Sequence, residues 1–201
     1  MTILSNWDMD DCSIYIPEHN TLIIGDVHFS LSGSDEYKNI KSRINILVDK
    51  FQPSRLIFNG DTFNRGKYHR EVIDILDNIK LLVDNIILLE GNHEKKSNGF
   101  NSEISRKFTV DKEYIMKDIL VHHGHRTPSQ KANHHIVNHL HPRKEKRPVY
   151  LHCSDCYYGS SVTVLPSFSK RVGGVEYTDY NVNIPIITDG KPIEEYDYIF
   201  A

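Results

Sequence analysis

No apolar run in the sequence approaches the ~18 to 20 residues that a helix needs to cross a bilayer, so a spanning helix is not expected. The first residues carry Asp8, Asp10 and Asp11 and lack the basic and apolar regions of a signal peptide. The expectation is therefore a cytoplasmic protein with no membrane partner. Cysteine is scarce: Cys12, Cys153 and Cys156 are an odd number and do not make a disulfide framework. Cys153-Ser-Asp-Cys156 has the spacing of half a zinc knuckle or of a redox pair. No second cysteine pair and no thioredoxin-like helix accompany it, so ordinary reduced thiols are expected. An excess of positive charge is also missing. The formal net charge of -3 leaves no global footprint for a dedicated nucleic-acid binder, so any polyanion must be gripped locally. Internal repeats, low-complexity tracts and linkers are absent, and residues 1–201 are expected to form one domain.

What the chain does have is a pattern spoken three times. Leu22-Ile23-Ile24-Gly25-Asp26, Ile57-Phe58-Asn59-Gly60-Asp61 and Ile87-Leu88-Leu89-Glu90-Gly91-Asn92 are short apolar runs that stop at glycine and hand over an oxygen ligand. Between the first two, Tyr37, Ile40, Ile44, Leu47, Val48 and Phe51 fall at helical spacing, ended by Pro53. Between the second and third, Val72, Ile75, Leu76, Ile79, Leu82 and Val83 do the same. Two strand-helix-strand units imply parallel strands at 21–25, 55–58 and 85–89 with helices on the faces. A preceding strand at 13–16 forms a hairpin through Pro17 to Asn20.

Residues 94–106 read as a polar loop, 109–116 and 119–122 as strands, 128–133 as a short helix, and 136–138 as a strand. From Pro148 on, helical periodicity disappears. Segments 149–151, 162–165, 175–177 and 184–187 are β-branched and aromatic, which predicts a second, mostly antiparallel sheet packed on the first.

Ligands of parallel sheets bind outside the carboxyl ends of the strands, where the three glycine corners lie. Asp26, His28, Asp61 and Asn92 should therefore converge. Two carboxylates placed so close are unfavourable unless a cation neutralises them. Twelve histidines are available to complete such a site; His123 before Gly124, and the pair His139 and His141, end later strands. His122 is the alternative to His123.

The ordered motifs Gly25-Asp26-Val27-His28, Gly60-Asp61, Gly91-Asn92-His93-Glu94, His123-Gly124 and Asn138-His139-Leu140-His141 resemble those of the calcineurin-like metallophosphoesterases. The His-Leu-His-Pro turn, Arg147-Pro148-Val149 and the stretch from Leu165-Pro166-Ser167-Phe168-Ser169 to Gly173-Gly174 are similar to small SbcD-related phosphoesterases, a group that includes ligase-associated DNA endonucleases. The resemblance implies an α/β fold of two packed mixed sheets flanked by helices, a four-layer sandwich. It implies one metal on Asp26, His28, Asp61 and His141, and a second on Asp61, Asn92, His123 and His139. Asp61 is shared.

Carboxylate, amide and imidazole without thiolate favour Mn²⁺, with Fe, Zn²⁺ and Mg²⁺ as alternatives. Two such ions ~3.5 to 4 Å apart would polarise a phosphoryl group and lower the pKa of a bridging water, the expected nucleophile. His93, next to the ligand Asn92, is assigned the proton for the departing oxygen. Asn64 stands where the serine/threonine phosphatases carry the orienting acid, leaving Glu94 or a distant carboxylate for that part.

Arg65, His125 and Arg126 are candidates for substrate contact. Glu90 occupies the place of a second phosphatase arginine and weakens a protein-phosphatase reading. Arg143, Lys144, Lys146 and Arg147 could hold a phosphate backbone, though a solvated loop is the simpler expectation. The expected function is hydrolysis of phosphodiesters, with DNA or a nucleotide as substrate and subunit pairing left open. The alternatives are a phosphomonoesterase or protein phosphatase, and a non-catalytic metal-binding module.

Overall fold

A computed structural model describes residues 6–29, 34–64, 70–95, 100, 102–176, 185 and 197–201. The chain begins with β1 (Asp8–Asp10), β2 (Ser13–Ile16) and β3 (Thr21–Ile24), then α1 (Ser34–Phe51), β4 (Arg55–Asn59), α2 (Arg70–Ile79) and β5 (Asn85–Leu89). It continues with α3 (Asn92–Lys95), α4 (Ser102–Lys107), β6 (Thr109–Asp111), β7 (Glu113–Met116), β8 (Ile119–His122) and β9 (His134–Val137). The last elements are β10 (Pro142–Lys144), β11 (Arg147–Tyr157), β12 (Ser160–Val164), β13 (Val175–Glu176) and β14 (Asp197–Phe200). Among the described residues, no helix is long and apolar enough to cross a membrane.

Two mixed sheets result. The first runs β1-β2-β3-β4-β5-β6, with antiparallel pairing up to β3 and parallel pairing from β3 to β6. The second runs β13-β10-β11-β12-β9-β8-β7, with β14 also paired to β11. The uninterrupted apolar runs of the first sheet follow from burial on both faces. Leu22, Ile24, Leu56, Phe58, Ile86 and Leu88 pack with the helices, where Ile40, Ile44, Leu47, Val72, Leu76, Ile79 and Ile104 meet them. The alternate residues Ile23, Ile57, Ile87 and Leu89 face the other way, onto Met116, Ile119, Val121, Ile136 and Tyr150 of the second sheet. The described helices lie against the first sheet. The second sheet's outer face gathers Val137, Val149, Leu151, Val162 and Val164.

The structure departs from the sequence expectations in four places. The stretch from 94 to 106 is not a plain loop, because α3 and α4 fall within or across it. The run from 109 to 116 is two strands in different sheets, β6 on β5 and β7 on β8. Between them the Lys112 N–H donates to the Asp111 carboxylate at 2.7 Å, a local side-chain bond that competes with ladder pairing. No helix forms at 128–133; there the Glu113 carboxylate accepts the Ser129 N–H at 3.0 Å and the Gln130 side-chain amide at 3.2 Å. Cys153 and Cys156, expected as reduced thiols, are joined as a disulfide with Cα atoms 5.8 Å apart. A bulge in β11 between Cys153 and Tyr157 brings them together. The expected strand at 184–187 lies, apart from Pro185, outside the described residues.

Candidate metal centre

Each parallel strand ends in a corner whose backbone is tied to the next. Asp26 N–H donates to Gly60 O (3.2 Å), His28 N–H to Asp61 O (2.9 Å) and Phe29 N–H to Thr62 O (2.8 Å). Gly60 has φ +78, and a Cβ there would strike the His123 ring. A Cβ on Gly91 would overlap the Asp61 carboxylate and backbone. The glycines thus let a histidine and an aspartate approach the main chain.

Five residues of this region hold positive φ without being glycine: Asp26 (51°), His28 (46°), Asp61 (47°), His139 (62°) and His141 (48°). Such backbone is sparsely populated and persists only where the surroundings enforce it. That local strain turns the side chains inward.

The second sheet supplies the rest. His123 follows β8, and its Nδ1 lies 3.0 Å from Asn59 O. His141 Nδ1 lies 2.7 Å from Gly173 O. A carbonyl can only accept, so both rings carry the proton on Nδ1 and turn Nε2 toward the carboxylates. His123 Nε2 is 3.1 Å from Asn92 Oδ1, 3.5 Å from Asp61 Oδ2 and 3.8 Å from Asp26 Oδ1. His141 Nε2 is 3.0 Å from Asp26 Oδ1. His139 N–H donates to Asp26 Oδ2 at 3.0 Å. His122 points elsewhere, with its Nε2 3.3 Å from His135 Nδ1.

Three groups of ligand atoms result, each within 4.8 Å: Asp26, His28 and His141; His28, Asp61 and His93; and Asp61, His123 and His139. His28 Nε2 is buried with no hydrogen-bond partner, while the buried Asp26 Oδ1 and His141 Nε2 face one another at 3.0 Å. Converging acceptors in a dry site need a proton or a cation among them. Burial would raise Asp26, yet His141 and His123 hold it well below the carboxylate range. Burial would also raise Asp61, but His123 holds it at about 2. Ionised carboxylates beside imidazole nitrogens and an amide oxygen form a donor set that fits divalent cations.

Burial would lower His123, but Asp61 and Asp26 raise it to about 9. A folded pKa above the unfolded value of about 6.5 means a contribution to stability that is present below about pH 6.5 and lost as pH rises through about 9. A metal needs the unprotonated Nε2, so binding displaces this proton. The rise in melting temperature on adding Mn²⁺ should therefore be larger at about pH 8.5 than at about pH 6.5. Scanning fluorimetry at both pH values checks this, and an increment that shrinks with pH would contradict it.

His93 lines the cavity of about 330 Å³ where the groups meet, together with Asn64, Asn92 and Arg171. Its N–H donates to Asp61 Oδ1 at 2.8 Å, and its ring lies edge-on to His28 at 4.8 Å. Glu94 does not reach it as an orienting acid. The buried Glu94 carboxylate instead accepts three main-chain donors, Asp61 N–H (3.0 Å), Phe63 N–H (2.9 Å) and Gly91 N–H (2.9 Å). It clamps two of the corners together, and burial with the nearby Asp61 charge pushes its pKa up to about 7. Glu94→Gln would set an amide NH₂ against a main-chain N–H. A loss of about 1 to 3 kcal/mol in unfolding free energy is expected, measured by urea titration.

Of the remaining candidates, His125 sits 5.2 Å from His123 and 6.1 Å from His139, ring to ring. Arg126 donates through Nε to His125 Nε2 at 2.9 Å and pairs with Glu90 at 3.2 Å. Neither lines the cavity. Arg65 lies outside the described residues. The basic cluster divides: Lys144 lies over the Tyr198 ring (3.5 Å) and Arg147 over Phe200 (4.1 Å), whereas Arg143 and Lys146 line a second cavity.

Composition and spacing did not single out the loop after β12. There Ser167 Oγ donates to Asp26 O at 2.9 Å, and Arg171 pairs with the buried Glu36 at 3.1 Å. The stretch 165–174 carried a resemblance but no side-chain role.

Two mixed sheets with this cluster at the strand ends define a metal-dependent phosphoric ester hydrolase. The chain belongs to the calcineurin-like phosphoesterase family, whose model matches residues 19–183. Among solved structures it is similar to the Pseudomonas putida nuclease MPE, at 20% identity and TM-score 0.65 over 83% of both chains. It is also similar to Yfce, a phosphoesterase from E. coli, at 17% identity and TM-score 0.46, covering 77% of this chain and 83% of that one. Comparison with curated proteins returned no match.

Proposed function

We propose that the protein hydrolyses phosphodiesters, with nucleic acid as the substrate class, using two divalent ions, Mn²⁺ by preference. Asp26, His28, Asp61 and His141 hold one ion, and Asp61, Asn92, His123 and His139 the other. The observation that carries this reading is the convergence of three ligand groups on one cavity. When bound, such a pair of ions polarises the phosphoryl group and activates water. The chain's own residues do the rest. Asn59 O and Gly173 O fix the tautomers of His123 and His141, Glu94 fixes the corners, and His93 donates a proton to the departing ester oxygen.

Arg171, the one Lys or Arg among the cavity's described lining residues, pairs with Glu36, so the charge of a bound phosphate ester would be met mainly by the ions. Both sheets contribute ligands, so they act as one catalytic unit.

The test is hydrolysis of bis(p-nitrophenyl) phosphate, p-nitrophenyl phosphate and single- and double-stranded DNA with Mn²⁺, Mg²⁺ or Zn²⁺. Diester cleavage exceeding monoester cleavage, highest with Mn²⁺, is expected. A monoester preference would replace this reading with a phosphomonoesterase.

A further inference from the structure

We infer that the basic cavity beside the metal centre is a subsite for a neighbouring phosphate of a nucleic-acid strand, so that the enzyme grips its substrate beyond the scissile bond. The inference rests on the phosphodiesterase reading and extends it. The two cavities share His141 and Ser169 as walls. They are therefore adjacent. The second measures about 370 Å³, within the ~300 to 1,000 Å³ of small-ligand pockets, and Arg143, Lys146 and Lys170 line it.

Its side-chain charge is predominantly positive. Asp11, the one carboxylate side chain in the lining, is occupied by Arg43, whose Nε and Nη2 donate to it at 2.6 and 2.8 Å. Cys12 is no counter-charge, since burial pushes its thiol up to about 11. Arg143 is steadied by a neutral partner, donating to Val172 O at 3.1 Å. Among the described residues, no carboxylate pairs with the side chains of Arg143, Lys146 or Lys170.

A phosphodiester strand places an anionic phosphate one nucleotide from the scissile one. A lone phosphate ester places none. Cations in a pocket adjoining the catalytic cavity fit the first substrate and are idle for the second. They also supply the local grip that a chain of net charge -3 requires to bind a polyanion.

The experiment compares wild type with Lys146→Gln/Lys170→Gln, leaving the packed Arg143 in place. The substrates are bis(p-nitrophenyl) phosphate and a single-stranded oligonucleotide, across a salt series with Mn²⁺. The double variant should lose about tenfold or more in kcat/KM on the oligonucleotide, mainly through KM, and stay within about twofold of wild type on the small diester. The slope of log(kcat/KM) against log salt for the oligonucleotide should flatten by roughly 0.7 per lysine removed. Lys146→Arg/Lys170→Arg should restore both.

An unchanged oligonucleotide KM and salt slope, or an equal loss on both substrates, would overturn the inference. So would a wild type that cleaves the small diester but no oligonucleotide, while leaving the diesterase reading intact. Cleavage of neither substrate would remove that reading and the inference together.

Discussion

Asp61→Asn should lower activity by about 10³-fold and leave fewer than two Mn²⁺ ions bound per chain. The expected size follows from what the carboxylate does. Among the described residues Asp61 is the one carboxylate that belongs to two groups of ligand atoms, facing His28 and His93 on one side and His123 and His139 on the other; the imidazole of His28 is also shared by two groups. Its oxygens are divided between tasks. Oδ1 accepts the His93 N–H at 2.8 Å, while Oδ2 lies 3.5 Å from His123 Nε2 and 3.8 Å from His28 Nε2. An asparagine keeps an oxygen for the His93 N–H but loses the charge that offsets two cations. Removing one preorganised charged group from such a site typically lowers kcat by ~10² to 10³, and here the loss reaches both ions. Metal content by mass spectrometry, read beside kcat on the small diester, measures it. A variant that retained two ions and full activity would refute the bridging role.

His93→Asn should give the second large effect, of a different kind. The ring lines the cavity without being placed in either proposed metal shell. Its loss should therefore leave metal content at two ions while lowering kcat by about 10² to 10⁴-fold, the scale of general acid catalysis. The loss should depend on the leaving group. An alkoxide from a nucleotide needs protonation more than p-nitrophenolate does, so the defect should be larger on DNA than on bis(p-nitrophenyl) phosphate. An equal defect on both, accompanied by metal loss, would instead make His93 a ligand. The grouping of His28, Asp61 and His93 within 4.8 Å gives that outcome a physical basis.

Much of this arrangement was legible in the chain because its signals are local. Apolar runs ending at Gly25, Gly60 and Gly91 correspond to β3, β4 and β5, paired in parallel, with Ile23, Ile57 and Ile87 in register across them. The motif residues from Asp26 to His141 are brought to one place. What was not legible depends on long-range partners. The Glu94 carboxylate, next to His93 in sequence, was one of two candidates for its support, a distant carboxylate being the other. The partners of Glu94 are main-chain donors, Gly91 three residues before it and Asp61 and Phe63 some thirty residues away, and no spacing announces the distant pair.

At the change of sheet the Lys112 N–H donates to the Asp111 carboxylate, and no breaker residue marks the place. The disulfide in β11 depends on a bulge. Arg171 had no motif of its own, and its place in the cavity follows from the path of the loop after β12. The positive φ angles at five site residues are likewise invisible to residue type, since aspartate and histidine tolerate many conformations.

The central claim is that two cations sit between the corners of the first sheet and the histidines of the second, with Asp61 touching both. Anomalous diffraction from a crystal grown with Mn²⁺ measures this directly. Two peaks ~3.5 to 4 Å apart are predicted, one beside Asp26, His28 and His141, one beside Asn92, His123 and His139, and the Asp61 carboxylate between them. A single peak, or two peaks with Asp61 outside either coordination sphere, would contradict it.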